Sequence, residues 1–387
     1  MFKIHCLNAI SPAGLNLLTP QYQLVEDFAA ADAVLVRSAG MHELEFAPHL
    51  VAIARAGAGV NNIPLDRCAE QGIVVFNTPG ANANGVKELV IGALILASRN
   101  IIDGVNWVQS LVEDPDLPKL VEKHKSQFSG IEIQGKKLGV VGLGAVGLLV
   151  ANAAIKLGME VYGYDPYISV EGAWKLSKHV IHARSLEEIF RECDFITLHT
   201  PLTGDTRGML NKDAFAVMKD GVRILNFARA ELVVDDDIMA ALEQGKVSCY
   251  VTDFPNPRIS PVKGVISIPH LGASTVESEE NCAVMAVQQL MDYLENGNIK
   301  NSVNYPECDM GPCTHAGRIA INHRNIPNML GQLTAILGQE NYNIANLTNK
   351  SKGQWAYTMI DVDCPVSREM VAKISQIPGV ARVRVIK

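Results

Sequence analysis

A glycine-rich turn between an apolar strand and an apolar helix constrains the fold of this chain more than any other feature. Residues 142–147 read Gly-Leu-Gly-Ala-Val-Gly, between the nearly apolar run 137–141 and the apolar run 148–157. A further strand-like run, 160–164, is followed by Asp165. A GxGxxG turn in this setting is typical of a βαβ unit that binds a dinucleotide. We therefore expect a parallel α/β domain of the Rossmann type.

Each position of the turn has a distinct physical role in such a site. Gly142 forms the tight turn, Gly144 lets a pyrophosphate approach the backbone, and Gly147 lets the helix pack closely on the strand. Ala145 and Val146 open the helix, where unpaired N–H groups and the helix dipole favour a phosphate. The alternative is a glycine turn that serves packing alone.

The acid after the second strand predicts which dinucleotide is bound. Asp165 can accept hydrogen bonds from the ribose hydroxyls of the adenosine, and its charge would repel a 2′-phosphate. The sequence therefore predicts NAD rather than NADP as the cofactor.

The bulk properties of the chain bound its class. A length of 387 residues favours two or three domains. The longest apolar run, 138–151, is too short to cross a bilayer, and residues 1–6 do not resemble a signal peptide, so we expect a cytoplasmic protein with no membrane partner. A net charge of −7 argues against a nucleic-acid partner. The eight cysteines include no CxxC pair, and we expect reduced thiols and no metal site.

The order of strand-like and helix-like segments predicts three domains. The first hundred residues alternate strand and helix, the rhythm resumes at residue 135, and a long helix over 277–296 returns the chain to the first domain. The last seventy residues follow a βαββαβ order, which is typical of a ferredoxin-like fold. The expected divisions are a discontinuous substrate-binding domain at 1–97 and 280–305, an NAD-binding domain at 98–279, a linker at 306–316 and a regulatory domain at 317–387.

Two side chains that follow strands suggest the chemistry. Arg229 follows the strand-like run 224–228, and His270 follows the run 266–269. An arginine at such an edge can hold a carboxylate through two parallel N–H bonds. A histidine can accept the hydroxyl proton of an alcohol as a hydride leaves. Each residue alone is more often structural, but together with a dinucleotide site they predict catalytic roles.

The motifs resemble a known family. Residues 226–230 (Asn-Phe-Ala-Arg-Ala), residues 269–275 (Pro-His-Leu-Gly-Ala-Ser-Thr) and the glycine turn resemble the D-isomer-specific 2-hydroxyacid dehydrogenases. Residues 36–39, 55–62 and 77–80 resemble the branch of this family that oxidises D-3-phosphoglycerate, the first step of L-serine biosynthesis. The resemblance implies a Rossmann-like domain inserted in a flavodoxin-like substrate domain, and a phosphorylated 2-hydroxy acid as substrate.

The resemblance also implies roles for individual residues. Arg229 and His270 would be catalytic. The substrate would be bound by Arg37, Arg55 and the backbone of Ala58, Gly59 and Val60. Beyond the glycine turn, the cofactor would be contacted near its nicotinamide by Thr200, Pro201, Ala228, Asp253 and Gly272.

The C-terminal segment resembles the ACT regulatory domain, which in many such enzymes binds L-serine at a subunit interface. The polar positions of that domain correspond here to His323, Asn325 and Asn343, which we expect to bind the effector. Turn-forming asparagines and a capping histidine are the alternative. The resemblance further implies a homodimer or homotetramer.

One departure from the family leaves the catalytic assignment open. The family usually has a glutamate, in an Asp-x-Phe-x-x-Glu-Pro motif, that orients the histidine. Residues 252–258 here read Thr-Asp-Phe-Pro-Asn-Pro-Arg, so the partner of His270 is Asp253, another acid or a water. Ala230 also replaces a usual glycine. One alternative function is oxidation or reduction of another 2-hydroxy acid, such as glycerate/hydroxypyruvate, 2-hydroxyglutarate or lactate. The other is a non-catalytic NADH-sensing regulator, which only the missing glutamate favours.

Overall fold

The computed structural model describes all 387 residues, which form two compact units. One unit contains residues 1–81 and 276–387, and the other contains residues 82–275. The second unit thus starts earlier than the NAD-binding domain expected at 98–279, because Val90 and Leu94 share an apolar core with strand residues 138 and 140. No helix in either unit has the length and apolar character needed to cross a membrane.

The N-terminal segment folds as a parallel five-stranded sheet. Its strand order is β2-β1-β3-β4-β5, the order of flavodoxin-like folds, as expected. The sequence does not predict β2, because this strand has three residues and only Tyr22 is buried. The elements are β1 (Phe2–Cys6), α1 (Pro12–Leu15), β2 (Tyr22–Leu24), β3 (Ala33–Val36), β4 (Ala52–Arg55), α2 (Leu65–Glu70) and β5 (Val74–Phe76).

The second unit contains a parallel seven-stranded sheet of the Rossmann type, which confirms the expected fold. Its strand order is β12-β11-β10-β9-β6-β7-β8, so the order reverses between β6 and β9, where dinucleotides bind in such sheets. The elements are α3 (Ala83–Ser98), α4 (Ile101–Gln109), α5 (Leu117–His124), β6 (Lys137–Val141), α6 (Ala145–Lys156), β7 (Glu160–Tyr164), α7 (Val170–Lys175), β8 (Ile181–His182), α8 (Leu186–Glu192), β9 (Phe195–Leu198), α9 (Lys212–Val217), β10 (Val222–Asn226), α10 (Asp235–Glu243), β11 (Val247–Thr252) and β12 (Val265–Ser267).

The last segment begins with a long helix and ends with an antiparallel sheet. The sheet has the order β14-β15-β13-β16 and the chain order βαββαβ, as the ferredoxin-like pattern predicts. Ile319, Ile321 and Ile360 pack with the two helices on one face of this sheet. The elements are α11 (Val276–Asn296), β13 (Gly317–Arg324), α12 (Met329–Gln339), β14 (Ile344–Lys352), β15 (Trp355–Val362), α13 (Arg368–Ser375) and β16 (Val380–Val385).

The other face of the antiparallel sheet packs on α11 and on the flavodoxin-like sheet. Tyr357 and Met359 of β15 share one buried apolar core with Tyr293 of α11 and with Phe76 of β5. Tyr357 also donates a hydrogen bond from its hydroxyl to the carbonyl of Gly297, at 2.8 Å. The two sheets of this unit therefore belong to one continuous core.

Arginines on this same face contact the C-terminal ends of two helices. Arg384 donates to the carbonyls of Tyr293 and Leu294 in the last turn of α11, at 3.3 and 3.2 Å. Arg382 donates to the carbonyl of Gln71 just after α2, at 2.9 and 3.2 Å. The carbonyls at the C-terminal end of a helix carry a partial negative charge, so these contacts stabilise both helix ends.

Candidate active site

The glycine turn between β6 and α6 is shaped by contacts that exclude side chains at two of its three glycines. Gly142 has φ +91°, and a Cβ there would lie 2.8 Å from the backbone carbonyl of His199. A Cβ at Gly147 would lie 1.9 Å from the carbonyl oxygen of Gly142. These two glycines are therefore required by the turn and by the helix packing.

Gly144 differs, because a Cβ there would meet no atom within 4 Å. It is the N-cap residue of α6, and no side chain caps this helix. The N–H groups of the first helical turn have no helical acceptor. The space beside Gly144 and these N–H groups together fit a pyrophosphate, with Ala145 and Val146 supplying backbone donors.

Asp165, directly after β7, holds the glycine turn as well as facing the region expected for the ribose. Its Oδ2 accepts a hydrogen bond from the Leu143 N–H at 2.8 Å, and its Oδ1 accepts one from the Tyr167 N–H at 2.8 Å. Each carboxylate oxygen can accept a second bond. The side chain therefore fits the ribose role, while the sequence gives no hint of the bond to Leu143.

The residues expected near the nicotinamide follow adjacent strands. Thr200 and Pro201 follow β9, Ala228 follows β10, and Asp253 follows β11. These three strands are neighbours in one parallel sheet, so their carboxyl ends lie at one edge.

His199 lies at this same edge and belongs to none of the sequence motifs described above. Its backbone lies against Gly142, and its Nε2 is 2.9 Å from the hydroxyl of the buried Thr197. Burial lowers the pKa of His199 to about 3. This histidine therefore remains neutral at physiological pH and supports the back of the glycine turn. Its place immediately before Thr200 is the only sequence signal for it.

Arg229 projects from a turn that a buried asparagine fixes. Asn226, at the end of β10, is fully buried, and its Nδ2 donates to the Arg229 carbonyl at 2.8 Å. Its Oδ1 accepts a bond from the Ala228 N–H at 3.2 Å. The guanidinium itself is exposed and contacts only the Ala228 carbonyl, at 2.6 Å. The turn is held in place while the charged group stays accessible to an anion.

His270 and Asp253 lie next to each other at the ends of neighbouring strands. The His270 side chain is 67% exposed, whereas Asp253 is 1% exposed. His270 Nε2 is 3.9 Å from Asp253 Oδ2, and the Phe254 ring packs edge-on against the imidazole at 5.0 Å. Burial raises the pKa of the Asp253 carboxyl, and the charges of His270 and Arg229 oppose this shift. An exposed base thus stands beside a buried acid.

Gly272 lies close to the same carboxylate. A Cβ at Gly272 would be 3.6 Å from Asp253 Oδ2 and 3.3 Å from the Val86 side chain. The absence of a side chain at Gly272 leaves the approach to Asp253 open. This position therefore fits the cofactor role that the family resemblance implies.

Arg37 belongs to the other unit, where a loop after β3 presents it. The Oδ1 of Asn8 accepts bonds from the N–H groups of Arg37, Ser38 and Ala39, at 3.0, 3.1 and 2.9 Å. The Arg37 guanidinium forms an ion pair with Glu279 of α11 at 2.5 Å. Both side chains are nearly half exposed, so an anion can reach the guanidinium.

Arg55 and the loop after it form a second set of donors in this unit. Arg55 donates from Nε to the Arg37 carbonyl at 3.0 Å, which brings the two arginines together. A Cβ at Gly57, which has φ +154°, would lie 2.5 Å from the Arg55 guanidinium. The N–H groups of Ala58, Gly59 and Val60 donate to no group of the chain. The two cations and these N–H groups fit a phosphate or carboxylate.

The three expected effector residues are not brought together within one copy of the chain. His323 is buried, its Nδ1 donates to the Arg324 carbonyl at 2.8 Å, and its Nε2 lies 2.8 Å from the Thr358 hydroxyl. Asn325 lies beside the Trp355 end of β15, where it contacts the Gly353 carbonyl. Asn343 lies beside the opposite end of β15, where it contacts Asp363. A ligand that touches both asparagines therefore needs one from each of two copies.

The sequence is similar to the D-isomer-specific 2-hydroxyacid dehydrogenases. A model of the D-isomer specific 2-hydroxyacid dehydrogenase NAD-binding domain matches residues 91–272. The chain is 32% identical over 354 residues to the D-3-phosphoglycerate dehydrogenase of Haemophilus influenzae, covering 89% of this chain and 83% of that protein. It is 36% identical over 293 residues to the D-3-phosphoglycerate dehydrogenase of Methanocaldococcus jannaschii, covering 73% of this chain and 54% of that protein.

A solved structure resembles most of the molecule. The NAD⁺-bound 3-phosphoglycerate dehydrogenase of Entamoeba histolytica is 29% identical and superimposes with a TM-score of 0.62. The match covers 78% of this chain and 98% of the other.

Proposed function

Because the chain belongs to the D-isomer-specific 2-hydroxyacid dehydrogenase family, we propose that it oxidises D-3-phosphoglycerate to 3-phosphohydroxypyruvate with NAD, as the first step of L-serine synthesis. The observation that carries the proposal is the position of Arg229, Asp253 and His270 after three adjacent strands of one sheet. The order reversal of this sheet, beside the glycine turn, provides the cofactor site.

The reaction converts a secondary alcohol into a ketone. When bound, NAD⁺ accepts a hydride from C2 of the substrate. His270 accepts the hydroxyl proton, so the O–H bond breaks as the C2–O double bond forms. Arg229 holds the substrate carboxylate and stabilises the negative charge that develops on the oxygen.

We propose that Arg37, Arg55 and the loop after Arg55 bind the phosphorylated end of the substrate, as the family resemblance implies. Arg37 and Arg55 supply two fixed charges, and the backbone of residues 58–60 supplies N–H donors. The ion pair with Glu279 keeps the Arg37 guanidinium oriented before substrate arrives. Two arginines that carry the phosphate would distinguish D-3-phosphoglycerate from D-glycerate.

Two arginine variants test these roles. Arg229→Gln removes the charge that faces the developing oxyanion. We expect a fall in kcat/KM that corresponds to a loss of about 2–4 kcal/mol of transition-state stabilisation. Arg37→Gln should raise KM for D-3-phosphoglycerate while leaving kcat nearly unchanged, because it removes uniform binding. Arg191→Gln, which breaks an exposed pair with Glu187, is the control. Parent-like kinetics in Arg229→Gln would refute its role.

Regulation by L-serine is a further part of the proposal. Asn325 of one copy and Asn343 of a second would contact the amino acid, since the sheet keeps them apart within one copy. Helix α11 offers a route for the effect: Arg384 holds its C-terminal end, and Glu279 near its start pairs with Arg37. Asn343→Ala should remove the response to L-serine without changing the basal rate, whereas Gln332→Ala should retain it. A parent enzyme that ignores L-serine would contradict the proposal.

We also propose that the chain forms at least a homodimer through α4. This helix has no buried residue, although it is rich in apolar side chains. Such a surface on one helix of a folded chain is typical of an interface, and a second copy supplies a matching surface by symmetry. Val105→Asp should shift the mass in sedimentation toward the monomer, whereas Val170→Asp should not. The exposed apolar residues of this surface are Ile101, Ile102, Val105, Val108 and Val112.

A further inference from the structure

The loop that usually supplies the partner of the catalytic histidine is committed to other contacts in this chain. Asn256 Oδ1 accepts bonds from the N–H groups of Arg258 and Ile259, at 2.9 and 3.1 Å. Its Nδ2 donates to Asp235 at 3.0 Å. Arg258 pairs with Asp236. Residues 255–258 (Pro-Asn-Pro-Arg) include no acid, so none of them can take the place of the family glutamate beside His270.

Asp253, in contrast, is an acid that lies close to His270. Its Oδ2 is 3.9 Å from His270 Nε2, which is within ion-pair distance. Its Oδ1 is buried and has no hydrogen-bond partner. The Phe254 ring packs edge-on against the imidazole, with the ring centroids 5.0 Å apart.

From this geometry we infer that Asp253 is the positioning residue of His270 and replaces the glutamate of the family motif. Its charge stabilises the imidazolium that forms when His270 takes the substrate hydroxyl proton, and it orients the other ring nitrogen toward that proton. The inference rests on the proposed dehydrogenase function for its catalytic consequence, but the pairing itself exists without substrate.

Other titratable or charged groups also interact with the Asp253 carboxylate. Burial raises the pKa of Asp253, and Arg229, in the turn after β10, opposes this shift. Burial also raises the pKa of the Tyr250 hydroxyl in β11, and the Asp253 charge adds to that shift. Asp235, at the start of α10, acts on the same tyrosine. Only His270 both faces Asp253 at ion-pair distance and changes charge during the proposed reaction.

Asp253→Asn tests the pairing with two independent readings. In the ligand-free protein, the NMR titration of the His270 imidazole should move to lower pH than in the parent, because the stabilising charge is gone. The acidic limb of the pH profile of kcat/KM should move in the same direction, with a plateau about tenfold lower or more, because a weaker base accepts the proton. Asp253→Glu should restore part of both effects. The control Asp220→Asn removes an exposed acid paired with Lys246 and should change neither.

The outcomes separate the two proposals. An unchanged His270 titration in Asp253→Asn would overturn the pairing, whatever the enzyme oxidises. A lowered titration in a protein that oxidises no 2-hydroxy acid would support the pairing and contradict the proposed function. His270→Gln gives a reciprocal reading that does not depend on the stability of the Asp253 variants: the Asp253 carboxylate should titrate at higher pH once its cationic partner is lost. An unchanged Asp253 titration there would also overturn the pairing.

Discussion

The N-terminal end of α6 and the C-terminal end of α11 differ in whether side chains of the protein contact the terminal backbone groups. At α6, no side chain caps the helix, and the space around Gly144 is open. At α11, Arg384 donates to two terminal carbonyls, and Tyr357 donates to the carbonyl of Gly297 just beyond. Both helix ends have unpaired backbone groups and a partial charge.

The difference shows how the same backbone feature serves a ligand or the fold. A helix end that protein side chains fill contributes to stability, and its substitution should reduce the free energy of unfolding. A helix end left open contributes little to the stability of the empty protein and is available to an anion. Changes at α6 should therefore impair binding, and changes at the contacts of α11 should impair folding.

The largest effect on stability is expected at Arg318, which anchors the sheet next to α11. This side chain is 1% exposed, pairs with both oxygens of Asp361 at 2.6 and 2.9 Å, and donates to the Asn296 carbonyl at 3.0 Å. Arg318→Met leaves the Asp361 charge buried without a partner, and we expect a loss of about 3–5 kcal/mol in urea unfolding. The double variant Arg318→Met, Asp361→Leu should recover much of it. A loss below about 1 kcal/mol in the single variant would contradict the claim that side chains filling the C-terminal end of α11 contribute to stability.

Two glycines of one turn provide a matched pair. Gly144→Ala adds a methyl group where nothing lies within 4 Å, so the melting temperature should stay unchanged while NADH affinity falls at least about tenfold, or ~1.4 kcal/mol. Gly147→Ala places the same methyl group 1.9 Å from the Gly142 carbonyl oxygen and should destabilise the protein by about 1–3 kcal/mol. Calorimetric titration and thermal unfolding measure the two effects. Equal loss of stability in both variants would remove the distinction between an open and a filled position.

Arg384→Ala should have a smaller effect on stability and none on the chemistry. Its guanidinium lies 4.3 Å from the centre of the Tyr293 ring and donates to two helix carbonyls. We expect a loss of about 1–2 kcal/mol in urea unfolding, with unchanged kcat. Arg368→Ala, at the N-terminal end of α13, removes an equal charge where the helix dipole does not favour a cation, and it should not destabilise the protein. Similar losses in the two variants would show that net charge, rather than the helix end, is responsible.

The smallest effect is expected at His199 and depends on pH. Its pKa is lowered to about 3 in the folded protein from 6.5, so the unfolded chain binds a proton in this interval that the folded chain does not. Stability should therefore fall as the pH falls through this window, by about 0.7 kcal/mol from pH 7 to pH 6 for this group alone. His199→Asn should reduce that slope in thermal unfolding. A slope equal to that of the parent would show that His199 is protonated in the folded state.

The parts of the fold that sequence predicts are those set by local patterns. The glycine turn, the buried parallel strands and the βαββαβ order each follow from hydrophobic periodicity and turn residues, and the structure has all of them. The N-terminal end of α8 has a similarly local origin, because the Ser185 hydroxyl accepts a bond from the N–H of Glu188, three residues later, at 3.2 Å.

The features that sequence does not reveal depend on what lies across space. Arg382 and Arg384 alternate along β16 and so share a face, but the pattern cannot show that helix ends cover this face. The register of β13, β14 and β15 separates Asn325 from Asn343, although both occur in loops next to strands. Asp253 was identified as a cofactor contact, whereas its closeness to His270 depends on how β11 and β12 end in the same sheet.

The rate of NADH formation by the unaltered chain, with D-3-phosphoglycerate as the reductant of NAD⁺, tests the central claim most directly. D-Glycerate, D-lactate and D-2-hydroxyglutarate serve as the comparison acids in the same assay. We expect turnover with D-3-phosphoglycerate at a kcat/KM about 100-fold or more above that for D-glycerate, because two arginines are assigned to the phosphate. Equal turnover with D-glycerate would contradict the assigned substrate. Binding of NADH without turnover of any acid would contradict the dehydrogenase account itself.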